Sequence, residues 1–152
     1  MKLKLKHLRY ALTGFVMLIS VSVIAFIVYF MVAWAISWNN LYKGMVAFAT
    51  THTDEIVREV ALLKEKRLDE DIFSLDKNDE DFPRIVELNP HWMYWDDEGF
   101  LVLKIWGADR TYMGMLVVCD EFKGEIPHRY YMPHTDYTYK TQNIAPGIWA
   151  WK

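Results

Sequence analysis

The pattern of apolar and polar positions changes character twice along the chain. From Tyr10 to Trp38 there are 29 residues without a charged side chain; from Leu41 apolar positions recur every three or four residues; after Pro90 short aromatic and β-branched runs alternate with polar turns. As a helix the first stretch reaches roughly 43 Å, longer than the ~30 Å hydrocarbon core of a bilayer. Fourteen of its residues are Leu, Ile, Val or Phe. Together they supply on the order of −4 to −8 kcal/mol of insertion free energy with no charge opposing it. Residues 10–38 are therefore predicted to be a transmembrane helix, with Tyr10, Trp34 and Trp38 at headgroup depth.

In the second stretch Leu41, Met45, Phe48, His52, Ile56, Val60 and Leu63 fall on one helical face, predicting a juxtamembrane helix over 39–68 that serves as stalk and core contact. Phe48, His52, Ile56, Val60 and Leu63 are the expected coupling face between this helix and a sheet. Thr51-His52-Thr53-Asp54 has the Thr and acid of a capping box, so a break or kink is expected near residue 51. Residues 69–90 read as an acidic loop followed by a short helix, begun by Pro83 and stopped by Asn89-Pro90. The acidic run lacks the Gly and closing Glu of a calcium loop, and so reads as a solvated connection.

Residues 91–152 are expected to form the sheet. Strands are predicted over 92–95, 100–106, 112–119, 128–132, 137–141 and 148–151, the first three parted by short polar turns. The fold class is thus α+β: a single N-terminal transmembrane helix continuing into an amphipathic helix that packs on a small antiparallel β-meander. Phe100-Leu101-Val102-Leu103 and Met115-Leu116-Val117-Val118 are apolar at consecutive positions, so these strands need cover on both faces. The helix is expected to cover one face and the C-terminal strands the other.

Charge orients the chain. Lys2, Lys4, Lys6 and Arg9 precede the apolar stretch without an acid, which keeps tail 1–9 in the cytoplasm and places the rest in the periplasm of a bacterial inner membrane. Beyond residue 38 the remaining 13 Lys and Arg face all 20 Asp and Glu, a formal charge of 13 − 20 = −7, which disfavours nucleic-acid binding. Ala33-Trp34-Ala35 has the form of a signal-peptidase site, but the apolar run exceeds the ~7–15 residues of a signal peptide, so an uncleaved anchor is expected. The basic leader, Gly14-Phe15, the unbroken apolar helix and the sheet-rich remainder resemble the plan of type IV pilins and pseudopilins. Ile19 stands five residues into that helix, where the family has Glu.

Candidate chemistry is sparse. His128, His134 and Asp136 carry metal-ligand side chains at a spacing that matches no standard short zinc pattern. Asp96, Asp97 and Glu98 crowd a turn, and no phosphate-binding glycine loop, nucleophile elbow or CxxC occurs. Cys119, the single cysteine, follows an apolar run and reads as a small buried hydrophobe. The sequence therefore predicts no enzyme, no metal and no cofactor.

The aromatic load is the remaining signal. Trp92, Trp95 and Trp106 read as core, whereas Tyr130, Tyr131, Tyr137, Tyr139, Trp149 and Trp151 lie near loops and the chain end and are candidates for partner or ligand contact. Ala33 and Ser37, four apart in the apolar helix, would let a second membrane helix approach. The leading expectation is an accessory or regulatory, sensory-type subunit of a membrane complex, an outline similar to that of small periplasmic co-regulators. Its partners would be another membrane protein and the lipid bilayer. The alternatives are a receptor for a small amphipathic ligand, a tethered immunity or inhibitor protein, a pilin-like subunit and a supernumerary respiratory-complex subunit.

Overall fold

The computed structural model describes residues 2–67, 71–108, 111–118, 126–133 and 136–152. They form two compact units, residues 1–41 and residues 42–152. The helix α1 (Lys2–Thr51) begins in the first, and there its apolar residues from Leu12 and Phe15 to Trp34 and Ile36 are exposed. Ser20 and Ser22 turn their hydroxyls back onto the carbonyls of Val16 and Leu18, both at 2.9 Å. Each polar hydrogen is thereby satisfied inside its own helix. Among the described residues this is the one helix long and apolar enough to cross a membrane.

In the second unit the helical chain bends at His52 before α2 (Thr53–Arg67). The bend falls where a capping box was expected, but its chemistry differs. The hydroxyl of Thr51 donates backwards to Ala47 O at 2.8 Å, Thr50 to Val46 and Ala47, and Thr53 to Ala49 and Thr50. Hydroxyls that share carbonyls with the amide ladder bend a helix without ending it. The backbone bonds His52 N–H to Phe48 O and Ile56 N–H to His52 O, both 3.0 Å, run through the bend.

The short helix α3 (Pro83–Leu88) starts at a proline, whose missing N–H leaves the amides of Arg84 and Ile85 as the donors needing partners. Glu59 of α2 supplies them. Its nearly buried carboxylate accepts from Arg84 N–H at 3.0 and 3.1 Å and from Ile85 N–H at 2.9 Å. Asn89 ends α3 in the left-handed conformation, φ 50°, with its N–H on Val86 O.

Six strands follow: β1 (Trp92–Trp95), β2 (Phe100–Ala108), β3 (Thr111–Val118), β4 (Arg129–Met132), β5 (Tyr137–Ala145) and β6 (Ile148–Trp151), in the order β1-β2-β3-β6-β5-β4. The α+β class fits. A plain meander does not describe it: two three-stranded meanders are joined where β3 pairs with β6, so the last strand is central. Pro146-Gly147 makes the final turn, with Gly147 at φ 76°, where a side chain would be strained.

The helices cover one face, where Ile56, Val60, Leu63 and Ile85 meet Met93, Leu101, Leu103, Met115, Val117 and Ile148. On the other face Tyr94, Phe100, Val102 and Leu116 meet Tyr130, Met132, Tyr139 and Trp151. The C-terminal strands cover this face, as expected. They belong to the same sheet, which curls until its own far end supplies the cover. Gly114 allows this curl: a Cβ there would stand 1.9 Å from Leu103 O and 2.6 Å from the Trp151 ring, so the indole lies on bare backbone. The Trp151 indole N–H finds no acceptor among the described residues, so apolar volume is its contribution.

Candidate functional site

The candidate aromatics separate into two environments. Tyr130, Tyr139 and Trp151 are buried inside the curl, beyond the reach of any partner that does not open the sheet. Tyr139 packs against Trp151 with the rings tilted and their centroids 4.8 Å apart, and Phe100 meets Tyr130 edge-on at 5.4 Å. Tyr131 and Tyr137 are exposed, and Trp149 is half-buried. Tyr131 donates to Asp136 at 2.6 Å, and this bond raises its phenol above the ordinary value.

Of the helix residues, Ile56, Val60 and Leu63 are fully buried, Phe48 is half-buried against the same core, and the His52 ring lies tilted against Phe48 with centroids 4.7 Å apart. His52 Nδ1 also lies 3.2 Å from Glu55, which receives the Arg84 guanidinium. Ala33 and Ser37 are exposed on α1. His134 and Cys119 lie outside the described residues, and among the described residues no cluster of three metal-ligating side chains occurs.

The domain carries a cleft of about 460 Å³ lined by Tyr42, Ile126, His128, Lys140, Thr141, Gln142, Asn143, Trp149 and Lys152. Its volume is that of a site for a small molecule. Tyr42, Ile126 and Trp149 form an apolar wall, while Lys140 and Lys152 bring positive charge and, among the described residues, no acidic side chain lines it. Lys152 Nζ rests 4.1 Å from the Tyr42 ring centre, a cation–π contact that fixes one rim. Burial raises the Tyr42 phenol above its ordinary value. Thr141 is buried, its hydroxyl donating to Pro127 O and its N–H bonding His128 O at 3.0 Å, so the β4 end of the cleft is tied to β5. Asn143 holds its amide on Ala145 O and Ile148 O at 3.1 and 3.3 Å.

Of these lining residues sequence reasoning singled out Trp149 as a ligand contact and His128 as a metal candidate, and missed Tyr42, Lys140 and Lys152. No periodicity unites them; only the pairing of β5 with β6 brings residues 140 and 152 together. No protein-family model matches the chain, and no curated protein or solved structure is significantly similar to it.

Proposed function

We propose that the chain is a non-enzymatic, single-pass protein of a bacterial inner membrane, with a cytoplasmic N-terminus and a periplasmic α+β domain that acts as an accessory or regulatory subunit of a membrane complex. One observation carries the reading: the uncharged apolar stretch of α1 over residues 10–38, which the other described residues leave exposed. The basic residues before it and the acidic balance after it support the orientation.

Fractionation tests the anchor, which predicts extraction by detergent and retention in the pellet under alkaline carbonate. Protease added to intact spheroplasts should digest residues 39–152, and protection of that domain would reverse the orientation. Photo-crosslinkers at Ala33 and Ser37 should capture a discrete membrane partner; a chain that remains monomeric in native membranes would overturn the accessory role.

The cleft favours a second reading, a receptor for a small amphipathic ligand. It joins an apolar wall to convergent polar groups, as such sites require.

A further inference from the structure

Arg129 and Lys140 are register partners on β4 and β5, and Lys140 and Lys152 exchange both backbone hydrogen bonds, at 3.3 and 3.2 Å. Directly opposed residues of an antiparallel ladder send their side chains to the same face, with Cβ atoms roughly 5 Å apart. Three cations therefore stand in one cross-strand row. Like charges so placed repel, and among the described residues no carboxylate pairs with any of the three. The row is unexpected in a region whose formal charge is 13 − 20 = −7. Its inner two members open onto the cleft, beside the apolar wall of Tyr42, Ile126 and Trp149.

From this arrangement we infer that the cleft binds a phosphate group carried by an amphipathic molecule, the phosphate against Lys140 and Lys152 and the apolar part on Trp149 and Ile126. Two ammonium groups meeting a doubly acceptor anion make charge-assisted hydrogen bonds and remove the repulsion between them. The inference rests on the receptor reading of the cleft and adds the ligand's chemical class.

The full chain in neutral maltoside detergent is titrated with dihexanoyl phosphatidylglycerol, inorganic phosphate or monohexanoylglycerol, and the backbone amides of Lys140, Thr141 and Lys152 are followed. The phosphatidylglycerol should bind saturably, and K140Q/K152Q should weaken it by about tenfold or more while leaving the unfolding midpoint unchanged or higher. Inorganic phosphate binding as tightly would overturn the inference, since the apolar part would then contribute nothing. Unchanged affinity in the variant would overturn the inference. Binding of monohexanoylglycerol alone would also overturn it while sparing the receptor reading, and binding of none of the probes would overturn both.

Discussion

The hydroxyl oxygens of Tyr94 and Tyr130 lie 3.2 Å apart, although the two residues stand on the outermost strands of a six-stranded sheet. Tyr130 also donates to Asp96, at the turn following β1. The edges are thus fastened by phenols rather than by a backbone ladder. Burial pushes the Tyr94 phenol up to about 12; burial and then the Asp96 bond raise Tyr130 further.

That fastening is alkali-sensitive. For an acid whose folded pKa lies above its unfolded value of 10.0, nothing changes below pH 10, where both states are protonated. Above pH 10 the unfolded chain ionises and the folded one resists. Stability should then fall by about 1.4 kcal/mol per pH unit for each phenol. Denaturant titrations from pH 8 to pH 12 should give a shallower fall for Tyr130→Phe, which should also cost about 1–2 kcal/mol at neutral pH.

Acid acts elsewhere. The Arg84 guanidinium donates to Glu55 and holds that carboxyl below its ordinary value, with His52 adding to the effect. A depressed folded pKa gives stability that is present above the unfolded value of 4.5 and lost as pH falls through the folded one. Glu55→Gln should flatten the acid limb of the stability curve below pH 4.5, and an unaltered limb would show that the pair contributes nothing.

Gly114→Ala should be severe. The added Cβ meets the Leu103 carbonyl, which is backbone, as well as the Trp151 ring, so neither neighbour can yield cheaply. A loss of about 3 kcal/mol or more is expected from equilibrium unfolding. Trp151→Leu in the same chain should recover only part of it, because the carbonyl contact remains.

Glu59→Ala removes the acceptor for Arg84 and Ile85 N–H and should cost about 2 kcal/mol. Hydrogen exchange should locate the damage: the amides of residues 84 and 85 should lose protection before those of the central strands do.

Ile56→Asp places a charge at a fully buried position and should cost several kcal/mol, exposing the domain to protease while insertion of α1 is unaffected. Ala33→Leu should do the opposite, weakening lateral association and leaving the domain's unfolding midpoint unchanged. Protease resistance of the Ile56→Asp domain equal to that of the parent would remove the basis for coupling through this helix.

Local pattern made much of the fold legible. The period of Ile56, Val60 and Leu63 marks the helix, Pro83 and Asn89 bracket α3, and Trp92–Trp95 and Ile148–Trp151 stand at the expected strand positions. Non-local pairing was not legible. Nothing in residues 111–118 announces that they pair with 148–151 rather than with the next strand, and the curl that buries Tyr130 and Trp151 follows from that choice. The same holds for the cleft. Lys140 and Lys152 are unremarkable surface lysines until register sets them side by side.

The central place of β6 has a consequence for how the domain comes into being. A chain emerging vectorially can build β1-β2-β3 early, but the open side of β3 has no partner until residues 148–151 appear, and β4-β5 has no link to it before then. Until then the two halves stay unjoined and Leu116 lacks the cover of Tyr130, Tyr139 and Trp151. Joining them is the final, long-range step, which sets the rate of folding and leaves that interval most open to chaperones and proteases.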